Sequence, residues 1–119
     1  MQLAAAAVPT LVLTVAGRRS GEPRQVPLAY VPDGDAFLVV GSNWGQADHP
    51  VWTLNLMAAD RAVVETRGRR VTVRPRLLEG AERDAAWEQV TAVWPTYDDY
   101  TARAGGRRLR VFRLEPVAP

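Results

Sequence analysis

Residues 11–31 read LVLTVAGRRSGEPRQVPLAYV and predict the first β-hairpin of the chain. Residues 11–16 form an apolar, β-branched run that stops at Gly17, which is typical of a buried strand. A turn with Gly17 and Gly21 at its ends follows, and apolar residues then alternate over 24–31, as they do in a strand with one buried face. We therefore expect two antiparallel strands joined by a short turn.

Short strands and tight turns continue along the chain. Further strands are predicted at 37–40, 62–66, 71–78 and 109–114, and helices at 48–57 and 81–94, the second burying Ala86, Val90 and Val93. Hairpin turns join most strands, whereas the long crossovers of a parallel Rossmann sheet are missing. The sequence therefore predicts a mainly β, α+β fold: one domain over residues 1–119, with about six antiparallel strands in a small barrel and two or three packed helices.

Composition excludes several kinds of chemistry. The chain has 119 residues, enough for one domain, and no cysteine, so disulfides and thiolate nucleophiles are impossible. His49 is the single histidine, which leaves no two-histidine metal site within one chain, and we expect no metal. The apolar stretch at residues 3–8 covers only about a third of a bilayer. We expect a cytoplasmic protein with no membrane span and no nucleic-acid partner.

The basic residues point to one candidate binding segment. All 15 of them are arginine, whose planar fork of donors suits phosphate and carboxylate groups. Residues 17–24 place Arg18, Arg19, Arg24 and Ser20 around the first glycine turn, where their donors can converge on an anion. The alternative for this segment is an ordinary solvated hairpin turn.

Two other segments are candidates for binding. Residues 41–46 (GSNWGQ) form a glycine loop ahead of a predicted helix N-terminus, where Ser42 and Asn43 add donors, although an ordinary loop is the alternative. Residues 94–100 (WPTYDDY) offer an aromatic wall for a flat substrate, with packing on the barrel as the alternative. Neither Ser20 nor Ser42 has a visible base, so nucleophilic catalysis is not expected. If the protein is an enzyme, a cofactor must supply the reactivity.

Taken in order, these segments resemble the deazaflavin-dependent nitroreductases, relatives of the flavin-binding split-barrel oxidoreductases. The resemblance covers roughly residues 10–114 and rests on GRRSG at 17–21 with Arg24 and Pro27, GSNWG at 41–45, HPVW at 49–52 with Asn55, and WPTYDDY at 94–100. It implies a split β-barrel that binds coenzyme F420, an 8-hydroxy-5-deazaflavin with a phosphate and an oligoglutamate tail. FMN is the alternative cofactor.

The resemblance also implies roles for individual residues. On the cofactor side it assigns the anionic tail to Arg19 and Arg24, the phosphate to Ser42 and Asn43, and the deazaflavin and its linker to Pro27, Val51, Trp52 and Asn55. On the substrate side it implies Ala29, Trp94, Tyr97 and Tyr100, the two tyrosines positioning the substrate or donating a proton. Asn43 departs from the lysine that is common in the family, and Ala29 stands where a tyrosine can occur.

The implied activity is hydride transfer from the reduced deazaflavin to an electron-poor small molecule. Quinones, enones and nitro compounds are the candidate acceptors. Two alternatives stay open at this point: an FMN- or haem-binding split-barrel protein, and a non-enzymatic cofactor carrier. The sequence does not distinguish a monomer from a homodimer.

Overall fold

The computed structural model describes residues 9–41, 50–94 and 109–117, and these contain one antiparallel sheet of seven strands and two helices. The strands are β1 (Thr10–Ala16), β2 (Pro23–Ala29), β3 (Val31–Asp33), β4 (Ala36–Gly41), β5 (Ala62–Thr66), β6 (Arg69–Leu77) and β7 (Arg110–Pro116). The helices are α1 (Val51–Ala58) and α2 (Gly80–Val93). The sheet order is β2-β1-β5-β6-β7-β4-β3. No helix in the described ranges is long and apolar enough to cross a membrane.

The predicted small antiparallel barrel with packed helices is confirmed, but one predicted strand was wrong. Residues 24–31 form parts of two strands, β2 and β3, which break at Tyr30 and lie at opposite edges of the sheet. The Tyr30 N–H donates to the Pro9 carbonyl (3.1 Å), and its ring packs edge-on against Phe37. Because apolar alternation runs unbroken through this corner, the sequence pattern concealed the break. The edge strands β2 and β3 therefore meet only at the corner around Tyr30 and diverge from it, and this opening between them gives a split barrel.

The barrel interior is filled by alternate strand residues and by one face of α1. Side chains of a strand alternate between its two faces, so the odd positions of β1 and the even positions of β5 and β7 all point inward. The fully buried members of this cluster include Leu11, Leu13, Val15, Val64, Val73, Phe112 and Leu114, with Leu56 contributed by α1. Each such side chain stabilises the fold by about 1.5–3 kcal/mol through burial.

A second apolar cluster lies outside the barrel, beneath α2. Ala86 and Val90 of the helix pack there against Val31, Leu38, Val40, Leu109 and Val111, as predicted for the first two. The prediction that Val93 is buried was wrong, because its side chain is 52% exposed. The helix ends at this residue, and the following Trp94 packs against the cluster instead.

Helix α1 begins at Val51, with Pro50 as its N-cap residue in extended conformation. Proline suits this position because the N–H groups of the first helical turn have no partner within the helix. The predicted start at residue 48 lies outside the described residues. The position of α1 after β4 brings one of its faces beside the first hairpin, where the candidate site is found.

Candidate functional site

A cleft of about 620 Å³ lies between the β1–β2 hairpin and one face of α1. The helix contributes Val51, Trp52 and Asn55, which share a face because residues three and four apart are neighbours on a helix. The hairpin contributes Val15, Gly17, Arg18, Arg19, Ser20, Arg24, Gln25 and Val26. The cleft therefore has a basic part formed by the turn and an apolar part formed by α1 and the adjoining strand residues.

The turn that carries the arginines is closed by its own backbone. The Gly17 N–H donates to the Glu22 carbonyl and the Gly21 N–H donates to the Gly17 carbonyl, both at 2.8 Å. The Glu22 N–H donates to Ser20 Oγ (3.1 Å). Gly21 has φ +75°, which favours glycine. A Cβ atom at Gly17 would lie 3.0 Å from Ser20 Oγ, so the turn is also tightly packed.

Asn55 ties this turn to α1. Its Oδ1 accepts hydrogen bonds from the Arg18 backbone N–H (3.1 Å) and from Arg18 Nη1 (3.4 Å), across 37 residues of sequence. Asn55 as a whole residue is only 6% exposed. This contact fixes the hairpin turn relative to the helix, and so it sets the width of the cleft at its basic end.

Arg19 and Arg24 are two of the three arginines that line the cleft. Within the described part of the chain, neither guanidinium group lies within ion-pair distance of a carboxylate, whereas Arg70, Arg76 and Arg113 all do. A guanidinium group without a partner can form charge-assisted hydrogen bonds with a phosphate or carboxylate. The basic end of the cleft is therefore suited to an anion.

The apolar part of the cleft is formed by Trp52 with Val51, Val15 and Val26. The Trp52 ring packs against Phe112 of the barrel core, with the ring centroids 6.0 Å apart and the planes at 49°. Val51, at the start of α1, is 64% exposed. An indole held by the core beside an exposed valine offers a surface on which a flat, apolar ligand can lie.

The first turn of α1 is held in place by Thr53. This fully buried residue donates from Oγ1 to the Pro50 carbonyl (2.7 Å) and accepts from Arg110 Nη1 (3.1 Å). Its methyl group lies so close to Gly41 that a Cβ atom there would be 2.5 Å from Thr53 Cγ2. These contacts of Thr53 hold the start of α1 against the end of β4 and the start of β7. They thereby fix the position of Trp52.

The structure brings together most of the residues predicted to bind a cofactor. Arg19, Arg24, Val51, Trp52 and Asn55 all line the cleft. Pro27 lies in β2 opposite Val12, is exposed and is not among the residues that line the cleft. Ser42 and Asn43 lie outside the described residues.

The residues predicted to bind substrate are elsewhere or undescribed. Ala29 and Trp94 lie together with Val90 around a gap beneath α2 that has no room for a water molecule, and they do not line the cleft. Tyr97 and Tyr100 lie outside the described residues. The sequence analysis assigned no role to Val15, Val26 and Gln25, although Val26 belongs to the predicted apolar alternation over residues 24–31.

Comparisons with known proteins agree with one another. The family model described as F420H(2)-dependent quinone reductase matches residues 2–116. A Mycobacterium tuberculosis protein named F420H(2)-dependent quinone reductase is 33% identical over 86 residues, which are 71% of this chain but only 58% of that relative. A second protein of that organism, provisionally named for the same activity, is 32% identical over 91 residues, or 76% of each chain.

Solved structures show the same relationship. A structure described as F420-H2 dependent reductase (FDR-A) superposes with a TM-score of 0.82 at 30% identity, covering 90% of this chain and 94% of that one. The haem storage protein HutZ from Vibrio cholerae, at 12% identity and a TM-score of 0.67, covers 99% of this chain and 88% of that one, and shares the fold alone.

Proposed function

We propose that this chain, which belongs to the family of F420H(2)-dependent quinone reductases, transfers hydride from reduced coenzyme F420 to a quinone. The observation that carries the proposal is the cleft between the first hairpin and α1. It joins the guanidinium groups of Arg19 and Arg24, which face no carboxylate among the described residues, to an apolar wall at Trp52. That combination matches a flat heterocycle with an anionic tail.

The described residues fit the cofactor in size and in chemistry. A cleft of about 620 Å³ is in the usual range of small-molecule sites. The phosphate and glutamate carboxylates of the cofactor require hydrogen-bond donors, which Arg19 and Arg24 supply. The deazaflavin ring calls for a flat apolar surface, which Trp52 and Val51 supply. When bound in reduced form, the deazaflavin supplies the hydride.

The chain itself supplies binding, orientation and exclusion of water. Trp52, held by Phe112, presents a surface that cannot hydrogen-bond across its face, so a flat ring placed there is shielded from solvent on one side. The turn around Arg19 anchors the anionic end and thereby fixes the ring along the cleft. Such anchoring at a distance from the reacting atoms restricts the reactants to few geometries.

The remaining assignments stay part of the proposal. Ser42 and Asn43 are proposed to hold the phosphate, and Tyr97 and Tyr100 to position the quinone and to donate the proton that accompanies the hydride. Ala29 and Trp94 pack beneath α2, which supports a structural role for both, whereas contact between the exposed Pro27 and the cofactor stays part of the proposal. We also propose a cytoplasmic location.

A parallel titration tests the function. The purified protein is expected to bind F420 far more tightly than FMN, with quenching of tryptophan fluorescence because Trp52 lines the site. Reduced F420 is then oxidised by a soluble quinone in the presence of the protein, and a nitro compound and an enone are compared in the same assay. Tighter binding of FMN or haem would favour the alternative ligands. F420 binding without turnover of any acceptor would leave a cofactor carrier.

A further inference from the structure

One inward-facing position of β7 carries a charge. Side chains alternate along a strand, so Arg110 shares the inner face of β7 with Phe112 and Leu114, which are both fully buried in the barrel core. Arg110 lies at the rim of the barrel and is only partly buried. A charged group beside an apolar interior is costly unless hydrogen bonds compensate it, so the position of this guanidinium group depends on its partner.

The partner is a hydroxyl group of α1. Arg110 Nη1 donates a hydrogen bond to Thr53 Oγ1 (3.1 Å), and this hydroxyl in turn donates its single proton to the Pro50 carbonyl (2.7 Å). Because that proton is used, the oxygen can only accept from a second group, and a guanidinium group can only donate. Thr53 is fully buried, so these two hydrogen bonds link the start of β7 to the start of α1 inside the protein.

Gly41 fixes the orientation of Thr53 from the other side. It lies opposite Arg110 in the β4–β7 ladder, and a Cβ atom at Gly41 would be 2.5 Å from Thr53 Cγ2. The methyl group of Thr53 therefore occupies the space that the glycine leaves, while its hydroxyl faces Arg110. Rotation about χ1 would move both groups together and break the two hydrogen bonds, so Thr53 is held in one rotamer.

Two residues of β7 thus hold two consecutive residues of α1. Arg110 holds Thr53, and Phe112 packs against the ring of Trp52. Trp52 lines the cleft, whereas Arg110 and Thr53 do not. We propose that Arg110 is a positioning residue for F420 binding, which acts through Thr53 on the first turn of α1 and so sets where Trp52 lies against the ligand. This assignment rests on the proposed function, because it takes the ligand to be F420.

A double-mutant cycle tests the assignment. Arg110→Met and Thr53→Val each remove one partner of the hydrogen bond, and each should raise the dissociation constant for F420 about 2- to 10-fold. The fraction of tryptophan fluorescence quenched at saturating F420 should also fall, because Trp52 is no longer held in place. A loss of stability alone would leave that fraction unchanged in the folded, fully bound protein.

The double variant shows whether the two residues act through one contact. If they do, Arg110→Met combined with Thr53→Val should bind F420 as well as the weaker single variant does. Losses that multiply would mean that Arg110 acts on the ligand by its charge and not through Thr53, and would overturn the proposal.

A rescue experiment tests the packing around Thr53. Gly41→Ala should weaken F420 binding, because the added Cβ collides with the Thr53 methyl group and displaces the first turn of α1. Adding Thr53→Ser removes the methyl group and keeps the hydroxyl, so this double variant should bind F420 more tightly than Gly41→Ala alone. A loss that Thr53→Ser does not relieve would contradict the proposal, because the position of α1 would then not depend on this contact.

Arg113→Ala is the matched control, because it removes an arginine from the outer face of the same strand, where Arg113 pairs with Asp33. It should lower the melting temperature and leave F420 affinity and the quenched fraction unchanged. Equal losses of affinity in Arg113→Ala and Arg110→Met, or unchanged affinity in Arg110→Met, would overturn the assignment and leave the proposed function intact. Failure of the wild type to bind F420 would overturn both.

Discussion

Two arginine-rich regions of this molecule differ in what faces their guanidinium groups. In the cleft, Arg19 and Arg24 have no carboxylate within ion-pair distance in the described residues. On the outer surface, Arg76 contacts both Glu82 (2.9 Å) and Glu115 (3.0 Å). The outer network continues to Arg113, which pairs with Asp33 and lies 3.7 Å from Glu115.

The carboxylates of the fold already neutralise Arg76 and Arg113. Hydrogen bonds with Glu82 and Glu115 raise the pKa of Arg76, and the hydrogen bond and charge of Arg76 lower the pKa of Glu82. Arg76, which pairs with two carboxylates of the protein, joins β6, β7 and α2. An arginine without a carboxylate partner remains available to an external anion. The number of arginines in a segment therefore says little about binding; what faces them decides their role.

The largest expected effect is on cofactor affinity. Arg19→Ala and Arg24→Ala should each weaken F420 binding by about 1–3 kcal/mol, because each removes charge-assisted hydrogen bonds to the anionic tail. The losses should shrink at high salt, which screens partly exposed pairs. Titration of tryptophan fluorescence at two ionic strengths measures both effects.

Arg76→Ala is the contrasting variant, and Arg69→Ala is a control from the start of β6, a position that lines no part of the cleft. Arg76→Ala should leave F420 affinity unchanged and lower the melting temperature, while Arg69→Ala should change neither. If Arg76→Ala weakened binding as much as Arg24→Ala, the distinction between the two regions would fail.

The next effect separates binding from turnover. If Tyr97 and Tyr100 act on the acceptor, Tyr97→Phe or Tyr100→Phe should leave F420 affinity nearly unchanged and lower kcat/KM for a quinone, by about 10²-fold for a proton donor and by less for a positioning role. Steady-state kinetics alongside the binding titration distinguishes the cases. Loss of F420 binding with turnover retained in the bound fraction would instead make these tyrosines cofactor contacts.

The smallest effect is a pH dependence of stability in the outer network. The pKa of Glu82 is lower in the folded protein than its ordinary value of 4.5, so its contribution is present above that pH and is lost as the pH falls through the folded-state pKa. The melting temperatures of the wild type and of Glu82→Gln should therefore differ near pH 7 and converge in acid. A difference that persists at pH 2 would show that the effect is not electrostatic.

Local patterns predicted most of the fold. The strand at Ala62–Thr66 was predicted at its observed bounds, because a β-branched run followed by an Arg-Gly turn leaves little choice. In that turn Arg67 and Gly68 both have positive φ, 52° and 75°, as a type I′ hairpin turn requires. The candidate anion turn at residues 17–24 was likewise visible from its glycines and arginines.

Contacts between distant parts of the chain could not be predicted in this way. The tie between Arg18 and Asn55 joins residues 37 apart, and neither residue type indicates the other. The break at Tyr30 depends on the Pro9 carbonyl and on the ring of Phe37, which a periodic pattern does not reveal. Likewise, Ala29 and Trp94 lie together beneath α2 and not in the cleft. The sequence did not show on which face of the sheet these two positions lie, and so it did not predict this placement.

The shared corner at Tyr30 also bears on aggregation. The edge strands β2 and β3 are where a neighbouring molecule would add a strand, and both contain proline: Pro23 and Pro27 in β2, and Pro32 in β3. Proline offers no N–H to an incoming strand, and β3 has only three residues. The two edge strands at the opening of the barrel are therefore poor templates for intermolecular β-sheet. A split barrel of this kind does not expose an edge that readily pairs with a second molecule at high concentration.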